Sequence, residues 1–391
     1  MKKIVCVIMA ILLVAMTFTA CGTPAATSSA PATEAPATDA PATDAPKTEA
    51  PTTEASTTDA PAAGDFAAAL AGKGEGLKVG LTMADMASTY IVGAANYFKR
   101  LMETAGAEVT VVNCEGDANA QSDQIDDFVN MGCDIIAIHA ADAEALAPAV
   151  ERATKAGVPC VGFNKEISGG NLKFAVVSSD NVATGASAAQ WLADKAKEEG
   201  VSNPKIAVMQ GTMTQSDAYL RQDGIDSVAK AEGLTIIENP CDWGSDQAEK
   251  ALNDVITANP DLYGIITHCD SMDPGVISAL NQNQMNGVAG DDNHIYWSGI
   301  DCDATGIDAL NSGLMDVCVE QNPLELATVI TKGCLEIVAK GGTLDGEVIP
   351  MNTVVVDKSM TGDPARWATY DPETAPELWD GTERTWNNFL K

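Results

Sequence analysis

The sequence predicts an α/β protein built from two doubly wound, parallel-sheet lobes. From Leu77 onward, short apolar runs that fit buried strands alternate with longer stretches of helical periodicity. The same alternation begins again after Asp180, and 391 residues are enough for two such units. Strand–helix–strand repetition at this spacing produces parallel sheets with right-handed crossovers.

The first half of this region contains four predicted strands, at 78–81, 109–112, 134–139 and 158–163. Each run is apolar and rich in Val and Ile, which is typical of strands buried on both faces. Between the strands, apolar side chains at helical spacing predict helices over 88–105, 122–131 and 143–156, and Gly157 ends the third helix.

The second half repeats this pattern with predicted strands at 205–209, 235–237, 264–267, 295–300 and 317–319. Ligands of such folds bind beyond the carboxyl ends of the strands, so the residues that follow each strand are the candidate site. These residues are strongly polar. They are His139, Asn164, Lys165, Ser179, Asp180, Asn181, Trp243, His268, Cys269, Asp270, Asp301, Glu320, Gln321 and Asn322.

The first 20 residues are typical of a signal peptide. Lys2 and Lys3 precede an apolar run over 4–18, which is too short to cross a hydrocarbon core of about 30 Å comfortably. The segment Phe18-Thr19-Ala20-Cys21-Gly22 resembles a bacterial lipobox and predicts a lipid on Cys21, which anchors an extracytoplasmic protein to the cell membrane. The alternative is an ordinary signal peptide cut after Ala20, with Cys21 left unmodified.

Residues 21–72 are predicted to be a disordered linker. Most of this segment consists of Ala, Pro, Thr, Glu and Asp, and from 22 to about 64 no apolar side chain other than Pro is larger than Ala. Such a composition buries too little apolar surface to offset the entropy of ordering the chain. We expect the linker to hold a soluble body away from a membrane.

Charge and motif content exclude several classes of function. Lys and Arg total 23 against 55 for Asp and Glu, and the net charge of −32 argues against nucleic acid as a partner. The chain has no GxSxG, HExxH or P-loop motif, so we expect no enzyme activity, no catalytic residue and no cofactor. No His or Cys pair has zinc-ligand spacing, so no metal site is expected.

Four motifs in order resemble those of the ribose-type sugar-binding proteins of ABC importers, which have the periplasmic-binding-protein type I fold. The resemblance covers the chain from about Leu77 to Val356 and is strengthened by the lipobox in front of it. The motifs are Ser179-Asp180-Asn181, Asp270-x-Met272-x-x-Gly275, Ser298-Gly299-Ile300-Asp301 and Gln321-x-Pro323.

The resemblance implies a domain organisation. Residues 73–179 and 322–349 would form the N-terminal lobe, and residues 180–321 and 350–391 the C-terminal lobe. A three-strand hinge would join the lobes at Ser179, Asp180, Gln321 and Pro350. It also implies a monomer that delivers its ligand to ABC permease subunits with their ATPase. Residues beyond 357 extend past the usual family end, and we expect them to pack on the C-terminal lobe with Trp367, Trp379 and Trp386.

The resemblance further implies a sugar or polyol between the lobes, with Tyr90 and Trp243 as stacking residues. Ser88, Ile91, the pair Asn164-Lys165, Tyr219 and Cys269 depart from the ribose pattern. We therefore expect a related polyhydroxy ligand rather than ribose itself. The predicted ligand-binding residues are Tyr90, His139, Asn164, Lys165, Asn181, Arg221, Trp243, Asp301 and Gln321.

Two alternatives remain open at the level of sequence. A sensory receptor that presents a bound sugar-like signal to a histidine kinase or chemoreceptor would have the same fold and site. A binder of a metal or metal chelate would instead use the His and Cys residues of the cleft, among them His139, His268, Cys269 and Cys302.

Overall fold

The computed structural model describes residues 68, 70–168, 175–340, 348–351 and 353–362. All of these belong to one unit, Asp59–Lys391. The predicted signal peptide, Cys21, nearly all of the predicted linker and the three C-terminal tryptophans lie outside the described residues. Among the described helices, none combines the length and the apolar character needed to cross a membrane.

The first sheet has six parallel strands with helices on both faces. The apolar side chains of its third strand alternate between the faces: Ile135 and Ala137 contact one pair of helices, whereas Ile136 and Ile138 contact the other. The strands are β1 (Lys78–Met83), β2 (Glu108–Asn113), β3 (Ile135–His139), β4 (Cys160–Phe163), β5 (Ala175–Ser179) and β11 (Val348–Met351), in the order β11-β5-β4-β3-β1-β2. The helices are α1 (Thr89–Thr104) and α9 (Pro323–Lys340) on one face, and α2 (Ala118–Asn130) and α3 (Ala147–Lys155) on the other. We call this sheet and its helices the first lobe.

The second sheet repeats the architecture, and we call it and its helices the second lobe. Its strands are β6 (Lys205–Gln210), β7 (Thr235–Pro240), β8 (Leu262–Thr267), β9 (Tyr296–Asp301), β10 (Val317–Gln321) and β12 (Thr353–Asp357), in the order β12-β10-β9-β8-β6-β7. Only the pairing of β12 with β10 is antiparallel among these described strands. The helices α4 (Asn181–Glu199) and α5 (Ser216–Glu232) cover one face, and α6 (Ser245–Ala258), α7 (Asp273–Gln282) and α8 (Ala304–Ser312) cover the other.

The chain passes between the two sheets three times: after β5, after β10 and between β11 and β12. The last crossing corrects the sequence analysis, which assigned residues from 350 onward to the second lobe. Pro350 and Met351 lie in β11, paired in register with Ser178 and Ser179 of β5. Backbone pairing therefore keeps them in the first sheet, and the crossing follows Met351.

Two helices begin at positions that differ from the predicted ones, and local hydrogen bonds explain both. The helix α2 begins four residues earlier than predicted because Asp117 caps it, with Oδ1 accepting from the N–H of Ala120 at 3.2 Å. The helix α3 begins later because Asp142 Oδ1 accepts from the N–H groups of Glu144 and Ala145, at 3.0 and 2.8 Å, and holds a turn there.

Candidate functional site

A cavity lies between the carboxyl ends of the two sheets. The space outside protein atoms between its wall residues is about 400 Å³, part of which is open to solvent. In the first lobe the wall takes residues from the turns after β1 and β4, from the end of β3 and from the start of α1. In the second lobe it takes residues from α5, from the turns after β7 and β8 and from the end of β9. The wall residues are Asp85, Ala87, Ser88, Tyr90, Ile91, His139, Asn164, Lys165, Asp217, Arg221, Trp243, Cys269, Ser271 and Asp301.

Each lobe contributes one large aromatic side chain to this wall. Tyr90 lies in the first turn of α1, buried, with its hydroxyl 3.5 Å from Asn164 Oδ1. Trp243 follows β7 and donates from Nε1 to Gln215 Oε1 at 2.7 Å. The Trp243 ring packs directly on Gly211, where an added Cβ would lie 2.2 Å from two ring atoms. Glycine at 211 is therefore required for the position of Trp243.

Two buried cations occupy the second-lobe side of the cavity. Arg221 of α5 donates from Nε to Asn181 Oδ1 at 3.0 Å, and its Nη2 lies 4.0 Å from Asp301 Oδ1. Lys165, which follows β4 in the first lobe, reaches across and lies 3.8 Å from Asp217 Oδ2. Both cations lie 5.7 Å from the centroid of the Trp243 ring, a distance compatible with cation–π attraction.

Asp301 ends β9 inside the cavity with a positive φ of 109°. Burial raises the pKa of its carboxyl group to about 7, and the opposing effect of Arg221 is smaller. Gln321 Nε2 donates to Asp301 Oδ1 at 2.9 Å and fixes its orientation. The group therefore changes its charge near neutral pH while facing the cavity.

The structure brings most of the predicted ligand-binding residues together, with two exceptions. Asn181 and Gln321 were predicted to contact the ligand, but neither lines the cavity. Both lie where the chain crosses between the sheets, and their side chains hold Arg221 and Asp301 in place. At the same crossings Ser179 ends β5, and Asp180 caps α4 by accepting from the N–H of Ala183 at 2.9 Å.

Sequence reasoning missed Asp217 and Gln215. Gln215 Oε1 accepts from both Lys165 Nζ, at 2.5 Å, and Trp243 Nε1, so it joins residues of the two lobes. Neither residue directly follows a strand, because a turn over 211–215 separates β6 from α5. The only sequence feature that could have identified them as site residues is their position at the start of a predicted helix that also carries Arg221.

Direct contacts between the lobes surround the cavity, so the lobes are closed. The Glu166 N–H donates to Ser216 Oγ at 2.7 Å, and the Ala143 N–H donates to the carbonyl of Thr214 at 3.0 Å. On another side, the Thr89 hydroxyl donates to the Asp303 carboxylate.

Two α/β lobes, three crossings and a polar and aromatic cavity between the lobes define a solute-binding protein. Residues 79–341 match the periplasmic binding protein domain, and the chain belongs to this family. The fold is that of the type I periplasmic binding proteins, so both the predicted fold and the predicted family resemblance are confirmed.

Several named relatives are similar to this chain. The ribose import binding protein of Bacillus subtilis is 24% identical over 205 residues, which is 52% of this chain and 66%, just under two thirds, of that protein. The xylitol-binding protein of Mycolicibacterium smegmatis is 27% identical over 77% of this chain and 80% of its own length. A solute-binding protein from Actinobacillus succinogenes, solved with bound D-allose, superposes with a TM-score of 0.66 and 21% identity, covering 73% of this chain and 99% of that one.

Proposed function

We propose that the protein is the extracytoplasmic solute-binding subunit of an ABC importer and binds a monosaccharide or related polyol between its lobes. The cavity between Tyr90 and Trp243 carries this proposal. A sugar offers apolar C–H faces, which suit aromatic rings, and a ring of hydroxyl groups. Asn164, His139 and Asp301 line the same cavity and supply donors and acceptors for those hydroxyls.

The charges of the wall favour an uncharged ligand. Lys165 faces Asp217, and Arg221 faces Asp301, so each of these cations already has a carboxylate within 4.0 Å. A sugar acid or sugar phosphate would place a further negative group beside the carboxylates that already face these cations. A neutral polyol adds none, and it fits the relatives whose names include ribose, xylitol and allose.

The delivery of the ligand follows from closure. A ligand that contacts both lobes binds the closed form more tightly than the open form and shifts the population toward it. The closed monomer then docks on the permease subunits, which work with their ATPase, while a lipid on Cys21 keeps it at the cell membrane. Its task is binding, without a catalytic step.

A thermal-shift screen of the whole chain with ribose, xylose, D-allose and xylitol tests the proposed ligand class. A sugar at 100 times its Kd adds about 2.7 kcal/mol to the free energy of unfolding and raises the melting temperature. No shift with any of these compounds would contradict a sugar or polyol ligand.

Two substitutions then test the site. Trp243→Ala and Asp301→Ala should each weaken binding at least about tenfold, because each removes a contact worth roughly 1.4 kcal/mol or more. Asp254→Ala, on the exposed face of α6, is the matched control and should leave affinity unchanged. Wild-type affinity in both site variants would place the ligand elsewhere.

A further inference from the structure

Each lobe places a histidine at the same position of its sheet. His139 is the last residue of β3 and pairs in register with Met83, the last residue of β1. His268 directly follows β8, and its N–H donates to the carbonyl of Met209, one residue before the end of β6. Because β1 and β3 in the first sheet correspond to β6 and β8 in the second, the two histidines are equivalent in the repeated architecture.

The two imidazoles share one hydrogen-bond arrangement. His139 Nδ1 accepts from the N–H of Ala84 at 3.3 Å, and His268 Nδ1 accepts from the N–H of Gly211, also at 3.3 Å. Ala84 and Gly211 are themselves equivalent, since they follow β1 and β6. A neutral imidazole that accepts at Nδ1 carries its proton on Nε2, so both rings are Nε2–H donors.

Both rings stay neutral at physiological pH. Burial is the main cause that lowers the pKa of each, because it disfavours the charged form. Lys165 adds to this effect at His139, and Arg221 adds to it at His268, where the pKa falls to about 3.

Neither Nε2–H group is satisfied by the protein. Within the described part of the chain, His139 Nε2 and His268 Nε2 are both buried and have no hydrogen-bond partner. His139 lines the cavity. His268 is not part of the cavity wall, but its ring lies beside the ring of Trp243, with centroids 6.4 Å apart, and its carbonyl accepts from Arg221. Trp243 and Arg221 both line the cavity. Buried donors without partners are costly, and a ligand oxygen would relieve that cost.

We propose that His268 is a second ligand-recognition residue, the counterpart of His139 in the other lobe, and that the two Nε2–H groups donate to acceptor oxygens on opposite sides of one ligand. This inference rests on the proposed function and makes it more specific. The ligand must offer lone pairs, from hydroxyl or ring oxygens, at two separate positions. A protonated Nε2 cannot coordinate a metal ion, so the pair selects oxygen acceptors over metals.

Long-range ¹H–¹⁵N NMR of the histidine side chains in the whole chain tests this inference. The chain has only three histidines, and the third, His294, faces Asp316 at 3.1 Å and serves as an internal control. We expect His139 and His268 to be Nε2–H tautomers that do not titrate between about pH 5 and 8. Addition of ribose, D-allose or xylitol, whichever gives a thermal shift, should move both Nε2–H signals and leave His294 unmoved.

Matched variants give a second readout. His268→Gln and His139→Gln should each weaken sugar binding about threefold to tenfold, the loss expected for one neutral hydrogen bond. His294→Gln should leave the affinity unchanged.

A sugar that moves the His139 signal but not the His268 signal would show that His268 is structural. That result would overturn this inference and leave the proposed function standing. A His268 that is charged or Nδ1-protonated at pH 7 would do the same. If no sugar moves either histidine or the melting temperature, the proposed function fails as well.

Discussion

At the scale of single residues, Asp301 sets the expected pH response of ligand binding. Burial raises the pKa of its carboxyl group to about 7, so its ionised fraction grows from about one tenth at pH 6 to nine tenths at pH 8. The ionised form accepts stronger hydrogen bonds from hydroxyl groups than the neutral acid does. We expect affinity to rise up to about tenfold over this interval, measured by isothermal titration calorimetry.

Asp301→Asn supplies the control for that pH dependence. The amide does not titrate, so the variant should bind weakly and with the same affinity at both pH values. If the affinity of the variant depends on pH as strongly as that of the wild type, another group causes the pH dependence.

The folding stability changes with pH in the opposite direction. Between the unfolded pKa near 4 and the folded pKa near 7, unfolding releases the proton of Asp301, so its contribution to stability falls as pH rises.

Gly211 positions Trp243 through its lack of a side chain. An added Cβ would lie 2.2 Å from the Trp243 ring, so Gly211→Ala must displace the ring. We expect affinity to fall at least about tenfold, comparable to Trp243→Ala, as measured by calorimetry. The reverse change at the equivalent position, Ala84→Gly, should leave affinity nearly unchanged. Wild-type affinity in Gly211→Ala would mean that the Trp243 ring is not needed for binding.

The site could be predicted where its residues directly follow a strand. Trp243 and Asp301 could be identified because parallel sheets bring the ends of their strands together. Gln215 and Asp217 could not, because their positions depend on the path of the turn before α5. Asn181 and Gln321 were predicted to contact the ligand, and in the structure they bond Arg221 and Asp301, which line the cavity. Sequence order does not show which of two such neighbouring polar groups is nearer to the cavity.

At the scale of elements, the crossing of α4 and α5 positions the Arg221 guanidinium. Gly185 of α4 lies so close to α5 that an added Cβ would be 2.0 Å from the carbonyl oxygen of Arg221. On the other side of the same crossing, a Cβ on Gly224 would lie 2.0 Å from the carbonyl oxygen of Val182. This close approach brings Arg221 within reach of Asn181 at the start of α4.

Gly185→Ala should therefore disturb both stability and binding. Overpacking at a buried contact costs about 1–3 kcal/mol, and the shift of α5 should weaken ligand affinity by moving Arg221 and Asp217. Gly93→Ala is the matched control, because Gly93 is also helical and a Cβ added there would meet no atom within 4 Å outside its own helix turn. Thermal unfolding and calorimetry measure the two effects. Equal melting temperatures for the two variants would contradict the tight crossing.

Nine of the twelve described strands were predicted from sequence, whereas β5, β11 and β12 were not. The nine strands given as ranges in the sequence analysis are all present in the structure. The segment 348–357 reads as one apolar stretch interrupted by Pro350 and Asn352. Hydrophobic periodicity indicates burial and not the partner of a strand, so it does not show that this stretch divides between two sheets.

At the scale of the whole molecule, direct contacts between the lobes favour closure. Thr89 donates to Asp303 across the interface, and Thr89 does not line the cavity. Thr89→Val removes this hydrogen bond with little change in shape and without touching the ligand. We expect about threefold to tenfold weaker binding and a larger radius of gyration for the unliganded variant, measured by small-angle scattering.

Thr104→Val is the matched control for that variant. The Thr104 hydroxyl donates to the carbonyl of Arg100 at 2.8 Å within the same helix, so its loss should not change the distance between the lobes. If Thr89→Val keeps the wild-type radius of gyration and affinity, the contact with Asp303 does not contribute to closure.

A crystal structure of the protein with the sugar or polyol that gives the largest thermal shift would be the most direct test of the proposed binding site. We expect one ligand molecule between Tyr90 and Trp243, with an oxygen within hydrogen-bond distance of Asp301 and the lobes closed around it. A ligand bound outside this cavity, or in it without contact to one of the lobes, would contradict the proposed mode of binding.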